Sequence, residues 1–184
     1  MLHHTHIVPI LGIGHDDDLH YYVMQYIDGV GLEQLIQRWR PASSGRRARH
    51  SSQGNPIAPG DSAPTWQQVA ACGIQVARAV DYAHHQGILH RDIKPANLLV
   101  DTHDTVWITD FGLAKVFGDD GLTRSGDVFG TIRYMAPEQF EGKSTRSSDI
   151  YSIGVTLYEL AALQPAFCES DAKLLMRGIT KQGV

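Results

Sequence analysis

The chain has 184 residues, of which 42% are hydrophobic and 20% charged, and its formal net charge is −4. Those proportions suit a globular protein with a single sizeable core, and the negative balance argues against general electrostatic binding of nucleic acid. Cys72 and Cys168 lie too far apart in sequence for metal-ligand spacing or a disulfide framework, so a reducing, cytoplasmic setting is expected.

IVPILGIG, near the start, contains Pro9 and runs into acidic residues, unlike a secretory leader. Ile7 to Gly12 predicts a strand, GHDDD a polar turn, and LHYYVMQY a second strand. An Asp28-Gly29 turn then leads to a short helix over about 32–38. Around 40–64 the composition shifts to Ser, Gly, Pro and Arg with little to bury, which predicts a flexible surface insertion. Its Arg40, Arg46, Arg47 and Arg49 are expected to be solvated charges, with contact to an acidic partner as the second reading.

Thr65 and Gln68 form a T-x-x-Q capping box, the signature of a helix start. Trp66, Val69, Ala70, Gly73, Ile74, Ala77 and Val80 recur at helical spacing and mark its expected core face, with an end near Gly87. NLLV and TVWITD read as two strands around the turn THD, followed by a Gly-rich polar segment from Gly112 to about Tyr134. A helix from about Asp149 to Leu163 is apolar nearly all round, which predicts a central, covered position. It is too short, and with Glu159 too polar, to span a bilayer, so no membrane segment is expected in this chain. An amphipathic helix over about 172–179, with Ser170 as N-cap, comes last.

The chemistry concentrates in LHRDIKPANLLV. Asp92 is a carboxylate able to accept a hydroxyl proton, and Lys94 places a cation beside it. Asn97 and Asp110 offer hard oxygens of the kind Mg²⁺ takes together with phosphate oxygens. A base, a cation and a magnesium site suit phosphoryl transfer, where catalysis is mostly positioning and charge neutralisation. Five fixed identities, His90, Arg91, Asp92, Lys94 and Asn97, would arise by chance with a probability on the order of 10⁻⁵ to 10⁻⁴.

HRDIKPAN, then DFG at 110–112, then APE at 136–138 resemble the catalytic loop, magnesium motif and activation-segment end of eukaryotic-type serine/threonine protein kinases. HTHIV, YYVMQYIDG and SSDIYSIGVTLYELA extend the likeness over nearly the whole chain apart from the Arg-rich insertion. The resemblance implies an α+β, protein-kinase-like fold: a mainly helical large lobe over 28–184, and a two-strand remnant of the small lobe with the hinge over 1–27. ATP and Mg²⁺ would be the cofactors and a protein with Ser or Thr hydroxyls the partner, while a longer parent could be membrane-tethered.

By the same resemblance Asp92 would be the base, Lys94 would steady the transferring phosphate, and Asn97 and Asp110 would hold the metal. Met24 would be the gatekeeper, the backbone of Gln25, Tyr26 and Ile27 would bind adenine, and Leu99 would be its floor. Thr131 is expected to bond Asp92 and Lys94, His90 and Phe111 to stack, and Asp149 to hold the catalytic-loop backbone. Arg91 would receive a phosphate carried on Thr123 or Ser125.

The family's Gly-rich loop, strand Lys and helix Glu belong before HTHIV, and GIGHDDD is no substitute, so the chain by itself is expected to be weakly active or inactive. Glu138 is expected to miss its arginine partner, with a marginally stable product. The alternative reading is a non-catalytic kinase-like binding module. A zinc site at His3, His4 and His6 is a further, minor possibility.

Overall fold

Two small sheets sit beside a helical body in the computed structural model, which describes residues 2–17, 19–41, 62–111, 130–169 and 172–181. Strands β1 (Ile10–Asp16) and β2 (Leu19–Met24) pair antiparallel, with Ile13 opposite Tyr22 and Gly14 opposite Tyr21. GIGHD is therefore strand rather than turn. Gly14 makes this possible, because a Cβ there would stand 2.5 Å from Cζ of Tyr21, whose ring lies across it. The reversal itself is tight, and Asp17 enters it in the left-handed region at φ 48°. Residues 7–9 lie outside β1; Ile7 instead bridges in parallel to Ile108.

The second sheet has the order β3 (Gly29–Gly31), β4 (Leu98–Asp101), β5 (Val106–Ile108), all antiparallel. The expected turn at Gly29 is the first residue of β3. A Cβ at Gly29 would lie 2.5 Å from the Val100 carbonyl oxygen, so only glycine lets the two backbones approach. Asp101 closes the β4–β5 turn by accepting from the N–H groups of His103 and Thr105 and from Trp107 Nε1. These bonds outweigh the burial penalty and hold its carboxyl below the usual range.

Helix α1 (Leu32–Trp39) buries Leu32, Leu35, Ile36 and Trp39, a stripe at i, i+3, i+4, i+7. Helix α2 (Trp66–His85) starts at the expected reciprocal bonds between Thr65 and Gln68. Its buried face is Cys72, Gly73, Val76, Ala79, Val80, Ala83 and His84. Of the seven residues expected there, Gly73 and Val80 are buried and Val69 is half-buried, whereas Trp66 and Ile74 stand 76% and 53% exposed. The true stripe runs between small residues, and the close approach of the next helix selects it: Leu157 Cδ1 lies 2.8 Å from a hypothetical Cβ on Gly73. Burial pushes the Cys72 thiol up to about 12, which leaves it an inert small hydrophobe.

Helix α3 (Arg146–Ala162) begins three residues before the expected start, because the Thr145 and Ser148 hydroxyls cap its first turn. It stands between two cores. Ile153 and Leu160 join α1, α2 and the second sheet, while Tyr151 joins a smaller cluster of Ile132, Leu175 and Ile179. Cover is incomplete, as Ile150 and Tyr158 on one stripe are 57% and 54% exposed. Helix α4 (Ala172–Lys181) supplies Leu175 and Ile179 to the smaller core; the N-cap expected at Ser170 lies outside the described residues.

Arg40 is tied down rather than solvated. Its guanidinium donates to Glu159 Oε1 at 2.6 Å and to the Leu163 carbonyl at 3.0 Å, joining the end of α1 to α3. Arg46, Arg47 and Arg49 lie outside the described residues. Among the described residues no helix is long and apolar enough to cross a membrane.

Candidate active site

The loop between α2 and β4 is pinned from below before it presents any chemistry. Ile93 is buried as its apolar anchor, and a 3₁₀ turn, Pro95–Asn97, leads into β4. Asp149, 1% exposed at the N-terminal turn of α3, accepts from His90 N–H at 3.0 Å, Arg91 N–H at 2.8 Å and His84 Nε2 at 2.7 Å. A carboxylate only accepts, so His84 carries its proton on Nε2. This fixes the chain through Arg91, whose φ of 73° is a strained, left-handed value.

His90 is buried and makes the next tier. Its Nε2 donates to the Thr109 carbonyl at 2.9 Å and its Nδ1 accepts from Asp92 N–H at 3.2 Å, an arrangement that requires the neutral ring. Burial lowers its pKa, against smaller opposing effects of the Thr109 bond and nearby carboxylates. The ring packs on Phe111 with centroids 4.5 Å apart, as expected.

Above these supports the polar side chains converge. Asp92 Oδ2 meets Lys94 Nζ at 2.8 Å and Asn97 Nδ2 at 3.1 Å, and the same Nδ2 donates to the Asp92 carbonyl at 2.7 Å. Lys94 Nζ also donates to Thr131 Oγ1 at 2.7 Å, so Thr131 reaches Asp92 through the lysine. Asp92 and Lys94 side chains remain 31% and 19% exposed, open to an incoming hydroxyl. With its nitrogen turned to Asp92, Asn97 has Oδ1 as the atom to offer a cation.

Asp110 follows β5 at φ 63°, and its Oδ1 accepts from the Tyr22 hydroxyl at 2.7 Å. Its Oδ2 accepts from Thr109 Oγ1 at 3.3 Å, and that hydroxyl also reaches the Asn97 carbonyl. Burial, then the bond to Asp110, push Tyr22 up to about 12. Two hard-oxygen side chains on adjoining elements fit Mg²⁺, which binds through one or two protein oxygens plus phosphates. Among the described residues no cluster of three His, Cys, Asp or Glu forms an all-protein metal cage. His3, His4 and His6 do not converge on a metal: the His4 ring stacks on Tyr82, and His6 Nδ1 bonds the Val106 carbonyl.

The hinge-like segment after β2 is held to the residue before β1 by Gln25 N–H on the Pro9 carbonyl at 3.0 Å, with Tyr26 84% exposed and Ile27 half-buried. Met24 and Asp110 flank an apolar cavity of about 370 Å³. Leu99 is half-buried on β4, in register between Gly31 and Trp107. Glu138 accepts from the Ser148 hydroxyl at 2.6 Å, a neutral donor rather than the arginine whose loss was expected, while Arg146 binds the His84 carbonyl. Arg91 Nε is buried with no hydrogen-bond partner among the described residues. Thr123 and Ser125 lie outside those residues.

Four contacts escaped sequence reasoning: Tyr22 on Asp110, Gln139 Nε2 on the Arg91 carbonyl at 3.1 Å, and both Tyr134 and Arg40 on Glu159. Each joins residues 25 or more positions apart, and no local spacing signals them.

A protein kinase domain family model matches residues 1–183. The probable serine/threonine-protein kinase PknB of Lactococcus lactis subsp. lactis is 36% identical over 167 residues, 90% of this chain and 23% of the relative. PrkC of Bacillus subtilis, a serine/threonine-protein kinase, is 33% identical over 160 residues, 86% of this chain and 21% of the relative. PknD of Mycobacterium tuberculosis, also a serine/threonine-protein kinase, is 34% identical over 172 residues, covering 93% and 23%. The chain thus spans between a fifth and a quarter of the length of these relatives. The match over residues 1–183 places the chain in the protein kinase domain family.

Proposed function

We propose that residues 1–184 are part of a kinase domain that transfers the terminal phosphoryl group of ATP to Ser or Thr hydroxyls of a protein, with 1–27 as small-lobe strands and hinge and 28–184 as large lobe. The observation that carries this reading is the Lys94 ammonium between Asp92 and Thr131, with Asn97 completing the contact from the other side. Asp92 orients the acceptor hydroxyl and takes its proton. Lys94 stays beside the transferred group and offsets the charge that develops on it. Asn97 and Asp110 would hold the metal, and Mg²⁺ when bound neutralises phosphate charge. Thr131 steers Lys94 through its hydroxyl.

Gln25, Tyr26 and Ile27 present backbone groups to adenine, with Met24 at the back and Leu99 as floor. Arg91 receives an activating phosphate on Thr123 or Ser125, a role favoured by its buried Nε, which has no hydrogen-bond partner among the described residues. The chain by itself transfers slowly. Prolonged incubation with γ-labelled ATP, Mg²⁺ and a mixed Ser/Thr/Tyr peptide pool, followed by phosphoamino-acid analysis, tests the proposal. Label on Ser and Thr, absent in Asp92→Asn, is expected. Tight nucleotide binding with no Asp92-dependent label would overturn it in favour of a non-catalytic binding module, and label on Tyr would overturn the acceptor class.

A further inference from the structure

The bond between Tyr22 and Asp110 links β2 to the segment just beyond β5 across 88 positions of sequence, at 2.7 Å. Both side chains line the apolar cavity beside Met24, whose walls include Ile10, Ile13, Ile108 and Phe111. Among the described residues, Tyr22 and Asp110 supply the only side-chain oxygens in that lining. A phenol donating to a carboxylate in such surroundings makes a short, charge-assisted bond. The carboxylate is thereby divided: Oδ1 is turned to Tyr22 in the cavity, and Oδ2 faces Thr109 on the side of Asn97.

We propose that the Tyr22 hydroxyl competes with a divalent cation for the charge of the Asp110 carboxylate, so that Tyr22 sets the metal affinity of the site. The inference rests on Asp110 being a metal ligand, as in the function proposed above. Cation and phenol draw on the electron density of one carboxylate, and binding the first weakens the bond to the second. A hydrogen bond to a charged acceptor corresponds to roughly tenfold to a hundredfold in an equilibrium constant. Tyr22 engages only Oδ1, so the lower end applies. Tyr22 is a positioning residue: it holds the ligand and need not touch nucleotide or acceptor.

Mn²⁺ binding to the full chain, followed by electron paramagnetic resonance, tests this with the parent, Tyr22→Phe and Asp110→Ala. Tyr22→Phe is expected to bind Mn²⁺ about tenfold more tightly, a gain that misfolding cannot produce, and Asp110→Ala to lose binding. In parallel, Mg²⁺ titration of the chain carrying ¹³Cζ-tyrosine should move the Tyr22 resonance in the parent and not in Asp110→Ala. Equal or weaker Mn²⁺ binding by Tyr22→Phe, with binding still lost in Asp110→Ala, overturns the competition and leaves the metal assignment standing. Binding unchanged in Asp110→Ala overturns both.

Discussion

Removing the Asp149 carboxylate should undo the loop that carries the chemistry, and the structure sets the size of the effect. Asp149→Ala strands three donors at once: the buried His90 N–H and His84 Nε2 and the part-buried Arg91 N–H. Each buried donor left without a partner costs about 1–3 kcal/mol. Set against relief of the carboxylate's own burial, the loss is about 3–6 kcal/mol. That approaches the whole stability of an ordinary domain, about 5–15 kcal/mol. Asp149→Asn keeps the shape and one oxygen but presents an amide NH₂ to at least one donor, at a cost of about 1–3 kcal/mol. Urea unfolding followed by far-UV circular dichroism and by the fluorescence of Trp39, Trp66 and Trp107 measures both, with the asparagine variant giving a graded value if alanine does not fold. An Asp149→Ala chain within about 1 kcal/mol of the parent would refute the reasoning.

The lowered pKa of buried His90 makes stability pH-dependent with a definite sign. Below the ordinary value of 6.5 the unfolded chain takes a proton that the folded ring refuses, so stability falls as pH drops through 6.5 towards the folded value. His90→Ala should flatten that part of the profile, and an unchanged slope would contradict the assignment. Gly29→Ala puts a methyl group 2.5 Å from the Val100 carbonyl and should cost about 1–3 kcal/mol. Hydrogen exchange should show β3–β4 protection lost, and full protection would count against the close approach. Arg40→Ala leaves Glu159, a side chain 8% exposed, with Tyr134 but no cation, at a cost of about 1–3 kcal/mol. Adding Glu159→Gln should recover part of that loss, and strict additivity in a double-mutant cycle would mean that the pair is not coupled.

The active loop was legible because its chemistry is local: Asp92, Lys94 and Asn97 lie within six residues, and the 3₁₀ turn at Pro95 folds them towards one another. The Thr65 capping box was legible for the same reason, since both partners sit inside one helical turn. The buried face of α2 was not, because Trp66 and Ile74 suit an apolar stripe by type, whereas packing against Leu157 selects the stripe with small Gly73. The β3 strand was missed because three residues with two glycines carry no β signal, and pairing with β4 alone makes them strand. Arg40 misled in the same way: it opens a stretch rich in Ser, Gly, Pro and Arg, and its partner Glu159 lies 119 positions on.

Phosphate transfer is the central claim, and Asp92 is its most direct handle. Single-turnover transfer from γ-labelled ATP to a Ser/Thr peptide should be compared for the parent and for Asp92→Asn, which preserves size and the neighbouring bonds. The account predicts a loss of about 10²–10⁴-fold, the usual worth of a positioned acid–base group, with nucleotide binding retained. Equal rates in the two chains would contradict it.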